Sequence, residues 1–184
     1  GFFGTWLLQG LFGRAFGFWH VPYFLFALGL HLVSALAARK VLLRAGLSAE
    51  AAFAAAILYI VFPTSSNGLF FINNWFFVIP FSLFILQVYF YVFPQDDFRK
   101  DLALLTGVSL CGQFSGEGPL PLFYLSFAWF GAAALAARDR RALLRAVVPG
   151  VVCLVSLAAY HRAFAAPYAA AHPLNWNAAV TGTY

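Results

Sequence analysis

Residues 69–93 read LFFINNWFFVIPFSLFILQVYFYVF, a stretch with no charged side chain that ends at Pro94-Gln95-Asp96-Asp97-Phe98-Arg99-Lys100-Asp101. A straight transmembrane helix needs about 20 predominantly apolar residues, within a range of about 17 to 25. This run therefore has the length to cross a bilayer by itself. Pro80 lies inside it and has no N–H to give, so the sequence predicts a kink there.

Working outward, five further apolar runs cover 18–38, 47–62, 102–113, 119–137 and 146–160. Runs 18–38 and 119–137 also qualify as spans by length. The other three are short, and length alone leaves them as crossings, re-entrant segments or buried helices. Composition places all six in the same solvent. The chain is 63% hydrophobic, 20% aromatic and 9% charged, with 23 Phe and a mean hydropathy of +0.83. A soluble domain carries roughly 25% charged residues. A chain of 184 residues has too little interior to enclose this much apolar surface, so the bilayer has to supply the apolar medium.

Charge parity decides how many runs cross. If all six do, gaps 39–46, 94–101 and 138–145 share one side. They hold Arg39, Lys40, Arg44, Arg99, Lys100, Arg138, Arg140, Arg141 and Arg145, leaving only Arg14 and Arg162 opposite. Positive charge is retained on the cytoplasmic side, and if a short run failed to cross, the basic clusters after it would move to the opposite face. The expected fold class is all-α: a polytopic integral membrane protein of about six transmembrane helices. Both ends, 1–17 and 161–184, fall outside. The Ala- and Arg-rich composition and compact loops favour a bacterial inner (cytoplasmic) membrane. The net charge of +5 does not indicate nucleic acid, because the cations are confined to loops between apolar runs.

The chain reads as one unit, 1–184, without tandem repeats. It begins at Gly1 and contains no Met. No basic segment precedes a small-residue cleavage site, so Gly1 reads as a truncation point in a longer chain rather than a signal-peptide start. Cys111 and Cys153 sit in apolar runs and read as small core residues. No Cys/His cluster has metal-ligand spacing, so no metal site is expected. Gly112/Gly116 and Gly13/Gly17 are small-xxx-small pairs that permit close helix contact.

Several polar residues are candidates for chemistry. Glu117 lies between two apolar runs and is the one acidic residue assigned to the outer side. An acid at membrane depth is costly and usually functional, whereas a carboxylate in interfacial water or paired with Arg14 or Arg162 is the plainer alternative. His20 and His31 share a helix face, separated by about 16 Å along the axis, too far apart to hold one ion. His20 either meets a ligand headgroup or anchors the interface beside Trp19 and Tyr23. His31, deeper, is expected to hydrogen-bond another helix. Asn73, Asn74 and Trp75 suit sugar binding or the ordinary aromatic belt. Arg162, in the outer tail, either pairs with a lipid phosphate or snorkels from a helix end. Asp96, Asp97 and Asp101 read as a solvated cluster with Arg99 and Lys100. No phosphate-binding glycine loop or nucleophile elbow occurs.

The order of features over roughly 10–135 resembles the GT-C fold of polytopic glycosyltransferases, in particular the protein O-mannosyltransferase-like branch associated with tetratricopeptide repeats. The resemblance rests on His20 and His31, the basic turn Arg39-Lys40, Phe62-Pro63 where the family has His-Pro, and the aromatic span 69–93. Ser115-Gly116-Glu117 with Pro119 and Pro121 then stands where the family has Lys-Glu and a Pro-containing span. Asn67 replaces an expected acid. The resemblance implies sugar transfer from a polyprenyl-phosphate donor on the outer face. Glu117, His20 and Asn74 would line the cleft and Arg162 would meet the phosphate. It places the family's catalytic Asp in an outer loop upstream of Gly1. A non-catalytic membrane subunit of a larger complex is the principal alternative, with other membrane subunits as partners. A transporter, which needs ionisable or unwound segments at the midplane, is a third.

Overall fold

The computed structural model describes residues 3–17, 19, 21–61, 75–115 and 120–165. Among them the chain is entirely helical, as expected. The elements are α1 (Phe3–Phe16), α2 (Val21–Arg44), α3 (Ala49–Val61), α4 (Trp75–Val92), α5 (Phe98–Ser115), α6 (Leu120–Ala136) and α7 (Arg140–Tyr160), the last continued by a π-helical turn, His161–Ala165. Two stretches are long and apolar enough to cross a membrane, Val21–Arg44 and Arg140–Ala163. The apolar helices α3, α4 and α6 are shorter.

Two short apolar runs understate their helices. α5 begins at Phe98 and α7 at Arg140, so charged residues form their first turns. The local chemistry is explicit. Asp97 accepts from the backbone N–H of Arg99 at 2.9 Å and Lys100 at 3.4 Å. Asp139 accepts from the N–H of Ala142 at 3.0 Å, and Ser48 accepts from that of Ala51 at 3.2 Å. Each satisfies otherwise unpaired donors at the start of α5, α7 or α3. The helices entering these turns close in the left-handed conformation, at Gly46 after α2 (φ 94) and at Arg138 after α6 (φ 54). α1 was not foreseen; it occupies residues assigned only to an outer segment.

The neighbours in space run α3, α2, α4, α5, α7, α6, with α1 against α5 and α4. α4 thus packs on α2 rather than on α3, its predecessor in the chain. The buried stripes explain the packing. α2 buries Tyr23, Ala27, His31, Ser34 and Ala35; α5 buries Asp101, Leu105, Ser109 and Gly112; α7 buries Arg145, Pro149, Gly150 and Cys153. These recur at three- and four-residue spacing, one helix face each. They are rich in small and polar residues, which lets backbones approach. The outward faces carry Leu25, Leu36, Phe53, Leu58, Leu125, Trp129 and Val155, with Trp129 74% exposed. Paired polar residues thus share the interior with apolar ones, while many large apolar side chains face outward.

Two apolar clusters hold the ends. Tyr23, Ala27, Val78 and Ile79 pack with Leu8 and Phe12 of α1. Tyr91, Leu105, Phe127, Ala146 and Cys153 pack with Phe90 and Phe130. Gly112 faces the ring of Phe123 so closely that an added Cβ would fall on the ring carbons, whereas one on Gly131 would make only an ordinary 3.7 Å contact with Ala146. The close approach foreseen at Gly112 is therefore made, against a side chain; Gly116 lies outside the described residues.

Gly112→Ala should lower stability by about 1–3 kcal/mol through overpacking. Gly131→Ala should be neutral or slightly stabilising, because alanine is the better helix former. Thermal unfolding of the two variants in the same detergent checks this.

Candidate functional site

Residues at the two ends of the bundle organise the polar chemistry. At one end α2, α4 and α6 finish and α3, α5 and α7 begin. Lys40 Nζ of α2 stands over the ring of Tyr89 of α4, 5.9 Å from its centroid. Arg141 of α7 lies 5.3 Å from the ring centroid of Phe98 of α5. The three basic gaps are thus gathered at one end.

Arg145 is the centre of that end. It is buried, and each of its three guanidinium nitrogens donates a hydrogen bond. Nε donates to Asp101 Oδ2 and Nη2 to Asp101 Oδ1; Nη1 donates to the carbonyl of Tyr91 at 3.3 Å, and Nη2 also to that of Phe90. Asp101 in turn accepts from the N–H of Gln95 at 3.0 Å. One side chain of α7 therefore closes the C-terminal carbonyls of α4 and pairs with the first turn of α5. This corrects two expectations. Asp101 is not solvated with Asp96 and Asp97 but only 1% exposed, and Arg145 is not a loop charge. Both lie one turn inside their helices, on the stripe that faces the neighbours.

Pro149 adds a second link. It has no N–H, so the carbonyl of Arg145 lacks its helical donor. The hydroxyl of Tyr91 donates to that carbonyl at 3.2 Å. α4 and α7 thus cap each other reciprocally, Tyr91 serving a carbonyl of α7 and Arg145 serving carbonyls of α4.

Deeper in the bundle, Ser34, Tyr59 and Ser82 form a triangle of hydroxyls from α2, α3 and α4, at 3.2, 3.3 and 3.4 Å. His31, 2% exposed, does not make the expected hydrogen bond across helices. Its ring lies tilted against that of Tyr59, centroids 4.4 Å apart, and its nitrogens sit beside the backbone of Tyr59 and Ile60 without hydrogen-bond geometry. Ser126 of α6 donates to Gln87 of α4 at 3.1 Å. Tyr124 donates to Gln113 at 2.7 Å, and Gln113 to the carbonyl of Cys153 at 3.1 Å. These links were not foreseen, although the three- and four-residue spacing of 101, 105, 109 and 112–113 marks the inward face of α5. Cys153 is buried, as expected, but Cys111 is exposed, because it stands off that stripe. Among the described residues no group of three His, Cys, Asp or Glu assembles.

The opposite end gathers the other helix termini. Phe114 meets Tyr160 with centroids 5.9 Å apart, joining the ends of α5 and α7. Tyr23 of α2 packs with Val78 and Ile79 of α4, donates to the carbonyl of Gly17 at 2.9 Å, and meets Phe12 of α1 at 5.2 Å. Of the candidate residues, Arg162 is placed in the π-helical turn and is exposed. His20, Asn74 and Glu117 lie outside the described residues, as do Asn67 and Asn73. In the chain His20 immediately precedes α2, Asn74 immediately precedes α4, and Glu117 stands between α5 and α6. No family model, curated protein or solved structure matches the chain.

Removing one partner of a buried ion pair leaves the other charge uncompensated, at about 3–5 kcal/mol. Arg145→Gln and Asp101→Asn should each cost about that much. Tyr91→Phe should cost about 1 kcal/mol, and less in a Pro149→Ala background, where the helix recovers its own N–H donor. A double-mutant cycle on Tyr91 and Pro149, read by thermal unfolding, measures that coupling.

Proposed function

We propose that the chain is a polytopic membrane unit of six crossings, α2 to α7, with its basic end in the cytoplasm of a bacterium and its opposite end on the outer face. The carrying observation is the combination of an apolar exterior on the helices with paired polar groups among the buried residues: Leu25, Leu58, Leu125, Trp129 and Val155 face outward while Asp101, Arg145, Gln87 and Gln113 lie inside. An apolar medium favours that arrangement. α3, with 13 residues, rises about 20 Å, short of a core of about 30 Å. Its crossing rests on charge parity: without it, the basic residues that share one end of the bundle would lie on opposite faces.

On the outer face, the proposed activity is that of a GT-C-like glycosyltransferase unit taking a sugar from a polyprenyl-phosphate donor. Supporting it, Arg162 stands just past α7 at that end of the bundle, and in sequence His20 and Asn74 immediately precede α2 and α4 while Glu117 lies between α5 and α6. In this reading Arg162 meets the donor phosphate, Glu117 and His20 line the cleft, Asn74 binds sugar hydroxyls, and an outer-loop Asp in preceding sequence is the general base. A non-catalytic subunit of a larger membrane complex is the second reading. In its favour, Arg145, Asp101, Gln113 and Ser126 are engaged in helix-to-helix contacts rather than turned toward a cleft.

In a Cys111→Ser background, single cysteines replacing Arg44 and Arg140 should both be labelled by an impermeant maleimide only in inverted vesicles, and one replacing the exposed Arg14 only in right-side-out vesicles. Arg162→Gln should weaken binding of a polyprenyl-phosphate sugar about tenfold, the loss expected for a charge-assisted hydrogen bond. Equal binding by wild type and variant removes Arg162 from the site. Absence of sugar-lipid binding together with stable isolation in a larger assembly selects the subunit reading.

A further inference from the structure

The basic end carries nine Lys and Arg against five acids, Glu50, Asp96, Asp97, Asp101 and Asp139, and so keeps a net positive charge. Asp97 and Asp139 accept from backbone amides of α5 and α7, and Asp101 is held by Arg145 and the N–H of Gln95. Among the described residues, Arg145–Asp101 is the ion pair formed at this end. Lys40, Arg44, Arg99, Lys100, Arg140 and Arg141 are all exposed. Lys40 and Arg141 are steadied over the rings of Tyr89 and Phe98, a placement that keeps a cation beside apolar surface. Arg39 supplies a second, independent observation: it is half-buried, with Nε enclosed in the bundle. The enclosed stem fixes the side chain, and the two Nη groups are the part of the guanidinium left to meet an oxygen anion at the surface.

We propose that this end binds the phosphodiester headgroup of anionic phospholipids, the Arg39 guanidinium donating to a phosphate oxygen while the exposed cations supply the surrounding field. The proposal rests on the membrane reading above, since the headgroup layer is the one anionic surface that meets a ring of helix ends by geometry. Basic sites between transmembrane helices select acidic headgroups in this way, and each Lys or Arg near the surface is worth about 1 kcal/mol, or about fivefold in affinity.

The test uses the full chain in nanodiscs of phosphatidylcholine, alone or with about one third phosphatidylglycerol in the sense of an acidic leaflet. Lipid retained after transfer to detergent is counted by native mass spectrometry. Phosphatidylglycerol should be retained over phosphatidylcholine. Arg39→Gln should lower that retention about fivefold, and Arg39→Lys, which keeps the charge without the fork, should fall between it and wild type. Arg14→Gln, at the opposite end, should change nothing. The proposal is overturned if the carbonate-resistant, membrane-embedded chain retains both lipids equally. It is overturned too if Arg14→Gln and Arg39→Gln reduce retention alike, or if millimolar inorganic phosphate displaces the lipid. Extraction of the chain by alkaline carbonate would instead refute the membrane reading on which it stands.

Discussion

The contact between Arg145 and Asp101 fixes how α4, α5 and α7 meet. An arginine in an apolar bundle must place its charge against an anion and its remaining N–H groups against acceptors. Here the anion comes from the first turn of α5 and the acceptors from the last turn of α4. The tyrosine at the end of α4 returns a hydrogen bond to the carbonyl that Pro149 leaves bare. Rotating any of the three helices by one residue would leave a buried charge, a buried carbonyl or both unsatisfied. Those penalties select one register among helices whose apolar surfaces alone would fit in several.

The remaining interior follows the same logic with weaker groups. Small residues on α2, α5 and α7 bring backbones together, and hydroxyls and amides then find partners across the gap, as Ser34, Tyr59 and Ser82 do. Packing and interhelical hydrogen bonds together hold these helices. Phe123, Ile79 and Leu105 are enclosed, while many other large apolar residues face outward, as the proposed membrane setting would favour. Gly112 shows how tight the fit is, since a single methyl group would meet the Phe123 ring.

The two ends of the bundle differ because their turns differ. At the basic end, Ser48, Asp97 and Asp139 cap backbone donors, and the Lys and Arg outnumber the acids, which leaves a net positive charge there. At the other end the helices finish in aromatic contacts, Phe114 with Tyr160 and Phe12 with Tyr23.

Hydropathy and charge spacing determined much of this protein by themselves. Uncharged runs and loops with basic residues on alternate gaps announce an all-helical chain and assign 39–46, 94–101 and 138–145 to one end. Small-residue positions such as Gly112 were legible for the same reason: they are local in sequence. Of the outer-face candidates, the residue types were legible, and Arg162 alone has a described position. What only the tertiary structure decided is which polar residues face inward and whom they meet. Asp101 and Arg145 are 44 residues apart, and by composition they look like Asp97 and Arg141, which are exposed. Their difference is a rotation of one helix face relative to another, set by the combined cost of buried unpaired groups across α4, α5 and α7. No single stretch of sequence contains that sum.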